Sequence, residues 1–95
     1  MAGRPPITAG QPYDLFFEPR AEREYARVQK PMLDRINRAI GALAVEPRPV
    51  DATKLAGRDD YRIRVGDWRV VYEIDDARRR ILLVRIAHKR DVYRR

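Results

Sequence analysis

Arg62, Arg64 and Arg69 fall within eight residues of one another, in the stretch Tyr61–Ile74 that reads YRIRVGDWRVVYEI. A guanidinium group is planar and donates two parallel hydrogen bonds to a carboxylate or phosphate, so a cluster of them suits an anion and phosphate above all. Lys54 precedes this cluster, and Arg85, Lys89, Arg90 and Tyr93 follow it. An aromatic ring at the rim of a basic surface suits RNA, because unstacked bases are recognised largely by stacking. Other chemistries find no support. The 95-residue chain has no cysteine, hence no disulfide, thiol nucleophile or thiolate metal site, and its one histidine, His88, has no ligand cluster around it. Neither metal nor cofactor is expected.

The arginines need a scaffold, and their own stretch supplies it. Two runs of strict alternation flank Gly66-Asp67, a dipeptide suited to a two-residue hairpin turn. With the turn there, Val65 faces Trp68, Arg64 faces Arg69 and Arg62 faces Val71. Side chains alternate across a strand, so Tyr61, Ile63, Val65, Trp68, Val70, Tyr72 and Ile74 share one face. Arg62, Arg64, Arg69, Val71 and Glu73 share the other. Like charges directly opposite each other across a ladder are destabilising, a cost that folding alone does not explain and that an anionic partner would.

The rest of the chain builds a layer for the apolar face. Met1–Pro12 carries prolines and glycines without period and reads as a flexible tail. Tyr13–Glu18 is a short strand with Tyr13, Leu15 and Phe17 on one side and Phe16 on the other. Pro19 suits the first position of a helix, which Ala21, Tyr25 and Val28 carry to about Lys30. Pro31 opens a second helix with an apolar stripe of Met32, Leu33, Ile36, Ala39, Ile40 and Leu43, ended by Glu46-Pro47. Val50–Asp60 is a polar connector in which Leu55 turns into the core and Lys54 stays outside. Arg80–His88 (RILLVRIAH) is a central strand; simple alternation puts Leu82, Val84 and Ile86 toward the helices, with Leu83 and Arg85 on the arginine side. The expected domain is α+β, in the order β-α-α-β-β-β, an antiparallel sheet with two helices on one face.

Bulk composition agrees. A hydrophobic fraction of 44% belongs to a folded chain, and 95 residues make one domain burying roughly 60–65% of its unfolded surface. Twenty-one basic against 14 acidic residues leave +7, pointing to nucleic acid, an acidic protein segment or a membrane surface, the first two ahead. No apolar run reaches a membrane span and the first ten residues lack a signal-peptide core, so the expected location is the cytoplasm.

KLAGRDDYRIRVGDWRVVYEI, followed by ILLVRIAHKRDVYR, resembles the RelE/ParE superfamily of toxins from toxin–antitoxin pairs. The shared pattern is a K-L-x-G connector, the arginine hairpin, and a closing strand ending near H-[RK]-x-D-V-Y; the likeness covers Tyr13–Arg94 and makes residues 13–95 the toxin domain. RelE-like members are metal-independent ribonucleases that cut messenger RNA in the ribosomal A site, and ParE-like members inhibit DNA gyrase. Matched residue by residue, the RelE-like functional set falls on Arg62, Arg64, Arg69, Lys89 or Arg90, and Tyr93, which favours the nuclease branch. The resemblance implies attack by a 2′-OH on the adjacent phosphate, with Arg62 and Arg69 stabilising the charge and Tyr93 stacking a base. Some relatives have Lys where Arg64 stands; Arg does not deprotonate, so Arg64 is a stabiliser or the base lies elsewhere. His88 is the chain's one histidine, the residue type most used for general acid–base work, but its parity puts it on the helix side. Lys54, Arg85 and His88 complete the RNA-binding set. The implied partners are a cognate acidic antitoxin that masks the cationic face, messenger RNA and ribosomal RNA at the A site, and operator DNA held through the antitoxin. A gyrase inhibitor without nuclease activity and a plain nucleic-acid-binding module are the other readings.

Overall fold

The computed structural model describes residues 12–57 and 59–92, so the tail expected over residues 1–12 falls outside it apart from Pro12. The elements are β1 (Asp14–Phe17), α1 (Pro19–Ala26), α2 (Met32–Val45), β2 (Thr53–Lys54), β3 (Asp60–Val65), β4 (Trp68–Asp75) and β5 (Arg80–His88). The strands form one sheet in the order β1-β5-β4-β3-β2. Ile36, Ile40 and Leu43 of α2 and Ala21 of α1 join Ile63, Val65, Val70, Tyr72, Ile81, Leu83 and Ile86 in the main core. This is the expected α+β architecture of two helices laid on a sheet.

The hairpin forms in the expected register, with Val65 opposite Trp68, Arg64 opposite Arg69 and Arg62 opposite Val71. Gly66 has φ of +60°, and a Cβ there would lie 3.2 Å from both Arg35 Nη1 and Met32 Cε of α2. Glycine therefore serves the turn and the close approach of the second helix together.

Five details depart from the sequence expectation. The sheet is mixed, because β1 runs parallel to β5. The connector contributes the short strand β2, antiparallel to β3; that added reversal of direction leaves the first and last strands running the same way. Helix α1 stops at Ala26 and not near Lys30, and Val28 packs into the core from the linker that follows. Leu55 packs on a second, smaller cluster with Val71, Val84, Ala87 and Val92 on the opposite sheet face.

The fifth concerns β5. Val71 pairs with Arg85 but Tyr72 with Leu83, so Val84 is an extra residue in the ladder. A bulge of this kind resets alternation. It sends Ile81, Leu83 and Ile86 into the main core and turns Leu82 and Val84 away from it, whereas unbroken alternation groups Leu82, Val84 and Ile86. Arg85 stays on the arginine side, as expected.

Tyr72 is fully buried and its hydroxyl donates to the Pro47 carbonyl at 2.7 Å, tying the loop after α2 to the sheet centre. Burial raises the pKa of this phenol, so it remains a donor. Replacing Tyr72 by Phe deletes the hydrogen bond and strands a carbonyl. A loss of about 1–2 kcal/mol is expected, seen as a lower urea midpoint with unchanged m-value.

Candidate functional site

The sheet face turned away from the helices is organised by register into rows. Nearest the hairpin turn, Ala87, Arg69 and Arg64 lie side by side; the next row is Arg85, Val71, Arg62 and Thr53; the next is Leu82, Glu73 and Asp60. Strand spacing and rise set the Cβ atoms of Arg62, Arg64 and Arg69 about 5–8 Å apart, a triangle on the scale of a phosphodiester group.

Each arginine is held differently. Arg64 is exposed, and Arg62 and Arg69 are half-buried. Arg69 folds back so that Nη1 donates to the carbonyls of Gly66 at 3.1 Å and Trp68 at 2.9 Å. Those carbonyl dipoles offset part of the repulsion from Arg64 across the ladder.

After β5 the chain makes one helical turn, in which Asp91 and Val92 both donate to the His88 carbonyl, at 2.8 and 3.0 Å. Val92 is buried against Val71 and Ala87, bringing the turn onto the arginine face. Lys89 and Arg90 are both exposed on it. The Lys89 backbone N–H donates to the Asp67 carbonyl at 2.7 Å, and its ammonium lies 3.6 Å from Asp67 Oδ1, which joins the turn to the hairpin tip. Tyr93 lies outside the described residues.

The remaining sequence candidates sit elsewhere. His88 pairs with Trp68 on the helix-packed side, with ring centroids 6.0 Å apart edge to face, and its Nδ1 accepts from the Arg90 backbone N–H at 3.3 Å. Lys54 pairs with Tyr61 and is exposed beside it on the helix-packed side, so Thr53 takes the place next to Arg62. Arg85 is on the arginine face, but its guanidinium is engaged by Glu24 of α1, with Nε and Nη2 both 2.9 Å from Oε2. Sequence reasoning passed over Glu24. Its signal was position: it lies on the Ala21–Tyr25–Val28 stripe, where an acidic residue needs a partner.

The far end of the same face is acidic. Burial raises the pKa of Glu73, with repulsion from Asp60, Glu18 and Asp59 and a hydrogen bond with Asp60 adding to it. An anionic polymer is thus attracted to the hairpin-turn end and repelled from the Glu73 end. Among the described residues no three His, Cys, Asp or Glu side chains gather so as to hold a metal ion, and no helix is long and apolar enough to cross a membrane.

Residues 15–93 match the model of a family described as the ParE toxin of the type II toxin–antitoxin system, parDE. Toxin RelG of Mycobacterium tuberculosis is 32% identical over 88 residues, which span 88% of this chain and 99% of that protein. The toxin–antitoxin complex RelBE2 of the same organism contains a chain with TM-score 0.72 and 25% identity, covering 81% of this chain and 98% of its own. The archaeal RelE–RelB complex of Pyrococcus horikoshii shares the fold, with TM-score 0.73 and 24% identity over 84% of this chain and 98% of that one.

Two outcomes follow from the electrostatics. Substituting Arg64 by Thr removes the like-charge pair and raises stability by about 0.2–1 kcal/mol in thermal melts at low salt, a gain that shrinks in 1 M salt. Glu73 has a folded-state pKa above its ordinary 4.5, so its contribution to stability is full when protonated and is lost as pH rises through the folded value. Glu73→Gln therefore raises Tm at pH 7 and leaves it unchanged at pH 3.

Proposed function

The chain belongs to the ParE toxin family of type II toxin–antitoxin systems, and we propose that, as the toxin of such a pair, it is a metal-independent endoribonuclease acting on ribosome-bound messenger RNA. The observation that carries this reading is the triangle of Arg62, Arg64 and Arg69 on one rigid sheet face, with Lys89 and Arg90 delivered to its edge. In the proposed reaction the 2′-oxygen of a nucleotide bonds to the adjacent phosphorus as the bond to the 5′-oxygen breaks. The products are a 2′,3′-cyclic phosphate and a 5′-hydroxyl, the 2′-hydroxyl proton being exchanged for one on the leaving oxygen.

Fixed cations aimed at the phosphoryl oxygens stabilise the additional charge that develops there without a metal. Arg62 and Arg69 take that role, and the guanidinium of Arg64, opposite Arg69, adds to it. Lys89 or Arg90 contacts the phosphate from the terminal turn. Tyr93, next in the chain, stacks on a base. Lys54 and His88 would meet RNA only at the periphery, from the helix side.

The proposed partners are a cognate acidic antitoxin laid over the cationic face, and messenger and ribosomal RNA at the A site. Operator DNA is reached through the antitoxin, and the setting is the cytoplasm. Antitoxin chains are bound to the matching toxins of the RelBE2 and RelE–RelB complexes, which supports the first of these. A second reading, a gyrase inhibitor without nuclease activity, is favoured by the ParE description of the matching family.

Primer extension on translating ribosomes separates the two. Cuts at A-site codons that fall by about 10²–10³-fold in Arg69→Ala, and fall also in Arg62→Ala and Tyr93→Ala, support the nuclease. An uncut message together with accumulated gyrase–DNA cleavage complexes would establish the inhibitor in its place.

A further inference from the structure

Beyond the end of β1, the outer edge of β5 has no strand beside it among the described residues, and Glu24 of α1 occupies that edge. One carboxylate oxygen accepts the Ile86 backbone N–H at 2.8 Å, as a neighbouring strand would. The other accepts from Arg85 Nε and Nη2, both at 2.9 Å, and lies 3.7 Å from Arg20 Nε one helical turn back. The Arg85 and Glu24 side chains are only 12% and 21% exposed, so the pair is shielded from the solvent that weakens surface ion pairs.

Arg85 then reaches the other way. Its Nη1 donates a long hydrogen bond, 3.4 Å, to the carbonyl of Val92, the residue whose side chain seats the terminal turn on Val71 and Ala87. The chain of contacts runs from α1 on one side of the sheet, round the bulged edge of β5, to the turn bearing Lys89 and Arg90 on the other.

We propose that Glu24 is a positioning residue, which through Arg85 fixes the Lys89–Val92 turn against the cationic face and so places the terminal basic group of the site. Neither residue needs to touch RNA for this. Arg85 is bound on both sides by protein, so its charge serves the geometry of the turn more than attraction of a ligand. The consequence for activity rests on the ribonuclease reading; the consequence for the turn does not.

Amide hydrogen exchange and ribosome-dependent cleavage, measured on the full chain and on Glu24→Ala, test it. The Asp91 and Val92 amides are expected to exchange about tenfold faster, while the β3–β4 hairpin amides keep their protection. Cleavage is expected to fall about tenfold with little change in the half-saturating ribosome concentration. Combining Glu24→Ala with Lys89→Ala and Arg90→Ala should then cost no more than the latter two together, since a positioning residue has nothing left to position.

Unchanged exchange at Asp91 and Val92, or a loss that simply adds to that of Lys89→Ala and Arg90→Ala, overturns the proposal. Should Glu24→Ala fail to fold, Arg85→Gln carries the same test, because it breaks the link to the turn and leaves the Glu24–Ile86 bond intact. A wild-type protein that cuts no RNA defeats the ribonuclease reading alone, and the exchange rates then decide the role of Glu24.

Discussion

Arg64 and Arg69 stand directly opposite each other in the β3–β4 ladder, and the rest of the structure is arranged around keeping them there. A hairpin is marginal by itself and one with a repulsive cross-strand pair more so. Here the opposite face of the same two strands is occupied by Ile63, Val65, Val70 and Tyr72, buried beneath α2. The apolar face holds the register, the turn carbonyls of Gly66 and Trp68 absorb part of the charge on Arg69, and the arginines cannot separate without moving the core. Positive potential is stored in a backbone too well packed to relax it.

The same economy appears at the edges of the site. Helix α1, which gives Ala21 to the core on the apolar side, also reaches the cationic side, because β1 ends early and leaves room for Glu24 against β5. The hairpin tip and the terminal turn meet through Asp67 and Lys89. At the other pole, Tyr13, Arg48 and Asp76 join the start of β1, the loop after α2 and the β4–β5 turn, with Tyr13 donating to Asp76 at 2.7 Å. The Arg48 guanidinium, then the Tyr13 hydroxyl, lowers the pKa of Asp76, so this exposed knot persists as a charged one. On the sheet face itself the arginine cluster sits at the hairpin-turn end, while Asp60, Glu73 and Asp75 lie toward the other end, where Arg80 pairs with Asp75.

Much of this architecture is legible in the order of the residues. Alternation around Gly66-Asp67 gives the register residue by residue, because a two-residue turn leaves a single pairing that keeps all seven apolar side chains on one face. The helical stripe of Met32–Leu43 requires a sheet to cover, and Pro19 marks where the first helix begins. Arg62, Arg64 and Arg69 are legible as a set for the same reason, since each lies within a few residues of the turn that sets its partner.

What the sequence does not display is whatever depends on neighbours far along the chain. The Val84 bulge has no composition signal, and without it the parity of Leu82, Leu83 and Val84 inverts. Glu24 and Arg85 are 61 residues apart, and only the meeting of α1 with the free edge of β5 makes them partners. Lys54 reads as one more cation before the hairpin, yet its pairing with Tyr61 turns it to the other side. The sequence determined which face of the hairpin is cationic, because alternation is a property of the strand itself. Tertiary structure decided which of the surrounding charges that face keeps, because bulges, edges and cross-chain carboxylates arise only when the elements pack.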